Sequence, residues 1–420
     1  MGLDFIKINP KEDERLLIEK YEKETDSILS NAQDARILIQ LMVYYANLIK
    51  IQANEAANLN LVEFSRYPFI DFIGKMKNCP RLTAKQGEDV LLIKLNTTFS
   101  YDLTITRGFQ VKTNDGLHIF ETTTDLIIPA GEVQGLVNIQ SQEAISEINK
   151  YKAGEINTVI SSSFSFIESV TNINGVSGGS DDETDESYAQ RILLAPEGFS
   201  VAGPELGYIY WTLSSHPSIV DASVDVPQKN AQIDINGTLA EMTVNTIEND
   251  VFNAKVNYQT GEIEIELKQD LASGSKIKTI MPHPYEIDIY ALTTDGEASQ
   301  SVLDDITETL KPVRPISDYV VTKSAQVKEY SISGTVYLKK DADETVTKAA
   351  VKTVLNSFVN EFKNKLNRTI VLNQIIAKVN SVDGVFDFKP TSPTSDLLAE
   401  KQVYYSGSID SLTWERMTNE

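Results

Sequence analysis

The hydrophobic period of this chain first changes near residue 87, and that change separates a helical region from a strand-rich one. Leu16, Leu17, Tyr21, Ile28 and Leu29 recur at helical spacing, and Ile37, Leu38, Leu41, Met42, Tyr45, Leu48 and Ile49 do so again. Ser30 or Asn31 stands between the two runs as a break or cap. Two long amphipathic helices must bury their stripes on another element or on another chain. An intrachain hairpin and a partner-binding role are both open at this point.

From Gly87 to about Val159 the pattern alternates. Val90, Leu92 and Lys94 interleave with Leu91, Ile93 and Leu95, as in a strand buried on both faces. Leu103 and Ile105, then Phe109 and Val111, alternate with polar neighbours, and Arg107-Gly108, Asp115-Gly116 and Ala130-Gly131 supply turns. The expected domain is a β-sandwich. Residues 227–284 form a second strand-rich section, bounded by Pro227 and by Pro282 and Pro284. In it Val244, Thr246, Val256, Tyr258, Ile263, Ile265 and Leu267 alternate around a Thr260-Gly261 turn.

The last third mixes the two periods. Strands are expected at Ile287–Tyr290, Tyr319–Val321 and Ser331–Leu338, with a helix near Gln300–Leu310. A longer helix, Thr345–Leu366, carries Val351, Leu355, Phe358, Phe362 and Leu366 on one face, and a short one carries Leu372, Ile375, Ile376 and Val379. The fold class is therefore α+β and multidomain. Its parts are N-terminal amphipathic helices (1–78), a β-rich domain (79–174), a helix–turn–helix–strand junction (175–226), an inserted β-domain (227–284), a C-terminal α+β domain (285–392) and a polar tail (393–420) that Trp414 anchors.

Charge removes several function classes. Sixty acidic residues against 38 basic give a net charge of −22, which repels nucleic acid and anionic membranes. Cys79 is the sole cysteine, so neither an intrachain disulfide nor a thiolate metal cluster is available. The start, MGLDFIKINPKEDER, has no apolar secretory run and no Ser or Thr at position 6 for myristoylation. No stretch reaches about 18 uninterrupted apolar residues, so a soluble, cytoplasmically assembled protein is expected.

The densest chemistry lies in SGGSDDETDESYAQRILLAPEGFSVAGPELGYIYW, residues 177–211. A calcium loop needs Gly at its sixth position and Glu at its twelfth. From Asp181 those positions are Glu186 and Ile192, and from Asp185 they are Gln190 and Pro196, so neither register fits. The local pattern instead reads as a capping box, Ser180 with Glu183, with Asp181, Asp182 and Glu183 in the first turn of a helix and Arg191 near its end. Gly178 and Gly179 turn the chain into the cap, Pro196 and Gly198 end the helix, and Pro204 opens the next at its first position.

The same stretch resembles the signature of the baseplate J family of contractile phage tails, whose members carry Gly-Gly-x-Asp-x-Glu, an Arg at the helix end, and a Pro-Glu-x-x-Ser-x-Ala-Gly turn before an aromatic helix. The matching positions are Gly178, Gly179, Asp181, Glu183, Arg191, Pro196, Ser200, Gly203, Tyr208 and Trp211. Downstream, KPVRPISDYVVTKSAQVKEYSISGTVYL is similar to the family's Val-Arg-Pro segment, here with Arg314 and Pro315. GLHIF (116–120) and the PAG turn (129–131) also match, so the resemblance covers roughly residues 80–225 and 285–390, in order. The 55 or so residues between Pro227 and Pro282 depart from shorter members.

The resemblance implies a structural wedge subunit that holds the baseplate before contraction and rearranges to let the sheath contract. It further implies contacts with other wedge proteins, with neighbouring copies or a paralogue around a six-fold ring, and with the sheath initiator and the central hub or spike. An exposed fibre-attachment or receptor-binding module, using the insertion as its contact surface, is the alternative, and a tail-associated hydrolase a third. No enzyme, cofactor, metal or nucleic-acid motif competes: His118, His216 and His283 lack HExxH or His-x-His partners and read as surface or turn residues, and there is no GxSxG, P-loop or GxGxxG.

Overall fold

A computed structural model of the chain describes residues 2–30, 33–160, 164–200, 203–226 and 286–417, together with six strands between 227 and 285. Asn31, Ala202, Pro227, Val244, Tyr258, Thr260, Gly261, Pro282, His283 and Pro284, singled out above, lie outside the described residues. The chain divides into two compact units, residues 1–82 with 183–196, and residues 83–182 with 197–420.

In the first unit, helix α1 (Pro10–Thr25) opens on a proline, where the missing N–H costs no helical bond, with Asn9 Oδ1 accepting the Glu12 N–H. Helix α2 (Asp34–Asn58) packs on it. Asp13 of α1 receives Lys50 Nζ at 2.6 Å and Asn47 Nδ2 at 3.0 Å, and Leu29, Ile39 and Val43 are buried with Leu17 and Ile18. Farther along α2, two asparagine amides stand in for backbone. Asn54 exchanges a pair of bonds with Ile6 (2.7 and 2.8 Å), and Asn58 does the same with Leu3 (2.8 and 2.9 Å), which fixes the N-terminal segment along the helix. Two shorter helices, α3 (Phe69–Met76) and α4 (Asp185–Leu194), pack on each other.

The second unit begins with eight strands: β1 (Glu88–Leu95), β2 (Leu103–Ile105), β3 (Gln110–Thr113), β4 (Ile119–Thr122), β5 (Leu126–Ile128), β6 (Gln134–Ser141), β7 (Ile156–Val159) and β8 (Ile167–Asn172). Six of them form one antiparallel sheet in the order β7-β3-β4-β6-β1-β8, and its end strands β7 and β8 lie side by side. The sheet thus curls into a nearly closed barrel rather than the expected sandwich. Alternation is common to both architectures; the choice rests on pairing between strands far apart in sequence. One core fills the barrel, with Leu91, Ile93, Val111, Phe120, Ile139 and Ile156 buried, and the separate β2–β5 pair adds Ile105 and Ile128. The turn glycines Gly108, Gly116 and Gly131 have φ of +82°, +75° and +88°, where a side chain would be strained.

A small α/β layer follows, with α5 (Glu205–Leu213) packed on β9 (Ile219–Asp225). The insertion contributes β10 (Gln232–Ile235), β11 (Thr238–Glu241), β12 (Thr246–Glu248), β13 (Phe252–Asn257), β14 (Glu262–Leu267) and β15 (Ile277–Ile280), paired antiparallel as β11-β10-β15 and β12-β13-β14. Strand β16 (Glu286–Thr293) pairs antiparallel with β9 and with the short β17 (Gly296–Glu297), and parallel with β18 (Tyr319–Ser324), and α6 (Gln300–Leu310) packs on β18.

In the C-terminal part, β19 (Gln326–Leu338) is central, flanked antiparallel by β20 (Val385–Ser392) and parallel by β21 (Val403–Arg416), with α7 (Glu344–Phe362) and α8 (Leu372–Asn380) on one face. Two expectations change here. The long helix stops at Phe362, and Leu366 packs instead with Leu292, Ala325 and Tyr404. The residues after Pro393, polar in sequence, supply the 14-residue β21, and Trp414 packs against the helical core with Lys348 5.3 Å above its ring. No helix among the described residues is long and apolar enough to cross a membrane.

Candidate functional site

Asp181, Asp182 and Glu183 precede the helix rather than forming its first turn, which holds Asp185 and Glu186. Helix α4 starts at Asp185, and its N-cap is Thr184, which accepts the Ser187 N–H at 3.2 Å. The proposed capping box fails because Ser180 and Glu183 both have partners about a hundred residues away. Ser180 pairs with Lys85 through two backbone bonds of 3.0 Å, and Glu183 exchanges bonds with Leu82, giving its own N–H to the Leu82 carbonyl and accepting the Leu82 N–H on its carboxylate. Asp181, Asp182, Glu183 and Asp185 each cap an N–H group or pair with arginine. Asp181 takes the Ser146 N–H and hydroxyl, Asp182 takes the Ala84 N–H at 2.8 Å, and Asp185 takes the Tyr67 N–H at 3.0 Å.

In the first unit this stretch forms a buried ionic core. Arg191 holds Glu183 with two bonds, Nε to Oε1 at 2.8 Å and Nη2 to Oε2 at 2.6 Å, and both side chains are only 3% exposed. The rest of the guanidinium reaches the Pro80 carbonyl at 2.6 Å and Cys79 Sγ at 3.1 Å. Arg81 joins Asp71 and Asp185, donates to the Glu183 carbonyl, and lies 4.6 Å from the centre of the Tyr188 ring. The Tyr188 hydroxyl donates to the Cys79 carbonyl at 2.7 Å, and burial pushes it up to about 12. Burial raises Asp185 too, but the Tyr67 N–H and Arg81 outweigh it and hold that carboxyl below its usual range. Removing one partner of such a buried pair strands a charge, at a cost of about 3–5 kcal/mol.

In the second unit the remaining signature residues meet in two places. Gly178, with φ +81°, and Gly179 make the turn after the barrel. A Cβ on Gly179 would stand 2.8 Å from the Ile145 carbonyl and 2.7 Å from Ile148, so the backbone approach requires glycine. The second place joins the two sequence segments. The Tyr208 hydroxyl donates to Asp318 Oδ2 at 2.6 Å, and Arg314 donates to the Asp318 carbonyl. A Cβ on Gly203 (φ +68°) would lie 3.0 Å from Pro315 and 3.1 Å from Asp318. Burial, then the Asp318 carboxylate, drives the Tyr208 phenol far above its ordinary value. Ile316 and Tyr319, in and beside the loop so held, are exposed. Trp211 stacks edge-on against Tyr210 at 5.1 Å, and Pro196 and Ser200 are exposed.

The third feature is α2 itself. Contact with α1 consumes Ile39, Val43 and Asn47, whereas the stripe read from the sequence faces outward. Ile37, Leu41, Tyr44, Leu48 and Ile51 form one row at 4-3-4-3 spacing, and Leu38, Met42, Tyr45 and Ile49 form a second beside it; all nine are exposed. This is the 3.5-residue repeat of helices that pack knobs into holes. Contiguous exposed apolar faces of this kind are a feature of interaction sites.

Sequence reading found the signature residues but not their partners. Asp318, Arg81 and Asp71 carried only weak local signals, such as the spacing of four between Arg314 and Asp318. It also misplaced two histidines: His118 and His216 are buried, the first with Nδ1 2.6 Å from Glu143. No group of three or more potential ligands among the described residues is arranged to hold a metal.

The chain resembles known proteins in the same order as these features. The barrel-domain model of the baseplate J-like proteins matches residues 92–179, and their C-terminal-domain model matches 330–411. Of the signature residues, Gly178 and Gly179 fall inside a match. The "Baseplate protein J" of Escherichia phage P2 is 24% identical over 218 residues, 51% of this chain and 54% of that one; the match thus spans about half the length of that relative. A solved structure of the anti-feeding prophage baseplate, 6-fold symmetrised, aligns over 93% of this chain and 89% of its own at 10% identity, with a TM-score of 0.36, too low for the two folds to be equated. The barrel and C-terminal domains of the baseplate J-like proteins are thus both matched in this chain, in chain order, with a phage relative beside them.

Proposed function

We propose that the chain is a structural component of a contractile-tail baseplate, in a phage or a phage-tail-like injection particle, and within it a wedge subunit. The two baseplate J-like domain matches and the phage relative support the first part. The observation that carries the second is the outward α2 face, whose two heptad rows suit packing between helices of neighbouring subunits.

In this reading the first unit contributes α2 to a helical bundle of the wedge. The C-terminal α+β part contacts an adjacent wedge, and further partners are the sheath initiator, the central hub or spike, and copies or a paralogue around a six-fold ring. The work is mechanical: rigid domains hold the pre-contraction state, and interfaces between chains rearrange to release the sheath. Assembly takes place in the bacterial cytoplasm.

Deleting the gene and imaging the particles by negative-stain electron microscopy tests this. Sheathless tubes, polysheath or missing tails are expected. Complete, uncontracted tails that fail only to attach to cells would reject the wedge reading in favour of an exposed receptor-binding module.

A further inference from the structure

His216 belongs to none of the signature positions, yet it is 1% exposed and both of its ring nitrogens are engaged. The Ser218 N–H donates to Nδ1 at 3.1 Å, and the Ser218 hydroxyl lies 2.8 Å from the same nitrogen. Nε2 stands 3.1 Å from the Gly178 carbonyl oxygen. A carbonyl only accepts, so Nε2 carries the hydrogen and Nδ1 is the bare acceptor. The arrangement needs a neutral imidazole in one tautomer. A proton on Nδ1 would face the Ser218 N–H donor to donor.

The surroundings reinforce this. From the segment before β1, Lys85 disfavours a second positive charge; its Nζ is 2.6 Å from Asp305 of α6, which acts in the opposite sense. Asp295 and Glu297 of the β16–β17 hairpin line, with Gly178 and Ser218, an adjoining cleft of about 150 Å³. Burial is the largest influence and holds the imidazole below its usual range; Lys85 adds to it, against the Gly178 carbonyl and Asp305.

The bond also has a strategic place. Gly178 closes the barrel segment and Ser218 leads into β9, so the ring fastens two parts of the second unit. Neighbouring hydrogen bonds across this seam include Lys85 to Asp305 and to the Ser215 carbonyl at 3.4 Å, Ser177 to Ser301 at 3.3 Å, and Asn149 to Asp295 at 3.2 Å.

We propose that His216 is a proton-operated latch: neutral, it pins the Gly178-Gly179 turn to the start of β9, and uptake of one proton unfastens that seam while the barrel stays folded. The sign follows from the direction of the shift. A histidine held below its ordinary value of 6.5 binds its proton more readily in the opened form, so the latch is complete above that value and is lost as pH falls below it.

The test uses the full chain labelled with ¹⁵N-histidine, titrated from pH 8 to 5. Ring-nitrogen shifts report the tautomer, and hydrogen exchange reports the Ser218 amide. His216 is expected to remain in the Nε2–H form at pH 6. As it charges at lower pH, exchange at Ser218 should quicken more than tenfold beyond the intrinsic pH trend, with no such change at Val111 in the barrel. His216→Gln should abolish that excess, and Lys85→Gln should move the His216 midpoint upward. An ordinary midpoint near 6.5 with no excess exchange would overturn the latch, as would an unchanged excess in the glutamine variant. If that variant does not fold, the wild-type titration and the Lys85→Gln shift decide the matter.

Discussion

The barrel and the α1–α2 hairpin are both rich in apolar residues, but they dispose of them in opposite ways. In the barrel, alternation sends every second side chain inward, and Leu91, Ile93, Val111, Phe120 and Ile139 are sealed from water. In α2, apolar residues circle the helix, α1 covers one narrow face, and Ile37, Leu41, Tyr45 and Ile49 are left bare. A helix that is hydrophobic all round is one that something surrounds. The barrel's pattern is therefore complete within the chain, whereas the hairpin's is left open among the described residues.

Substitutions can break or sharpen that contrast. The largest losses are expected where burial is complete. Phe120→Ala should cost about 3–5 kcal/mol of barrel stability, read as a lower urea midpoint with faster amide exchange in β3, β4 and β6. Arg191→Ala should cost a similar 3–5 kcal/mol in the first unit; if Arg191→Met proves neutral, the buried pair contributes packing and not charge. A smaller effect is expected at the join of the two signature segments, where Tyr208→Phe loses a bond to a carboxylate worth about 1.5–3 kcal/mol and should loosen the 314–319 loop in hydrogen exchange. The smallest effect is the most telling. The double change Leu41→Ser and Tyr45→Ser should leave the isolated chain within roughly 0.5 kcal/mol of wild type while blocking particle formation in a complementation assay. Marked destabilisation of the isolated chain would mean that α2 is already covered, and the contrast with the barrel would fail.

How much was legible in the sequence varies with the reach of the interaction. The switch from helix to strand, the turns at Gly108, Gly116 and Gly131, and the helices at Gln300 and Leu372 follow from patterns within a dozen residues, and the structure has them. The capping box at Ser180 and Glu183 satisfied the local rule yet lost to distant backbone partners, Lys85 for one and Leu82 for the other, with Arg191 eight residues on completing the hold on Glu183. His216 read as a turn residue because nothing nearby in sequence signals that the Gly178 carbonyl will meet its ring.

The sequence by itself determined element types, the glycines that only a left-handed or crowded backbone requires, and the resemblance to the baseplate J-like proteins, since each depends on residue identity at short or ordered spacing. Only the tertiary structure decided that the sheet closes as a barrel, that Arg191 is buried against Glu183, that Tyr208 and Arg314 share Asp318, and which face of α2 is left bare. Periodicity states that a stripe must be covered, but not by what. Pairing between residues a hundred positions apart is settled by closure of the whole chain around its cores.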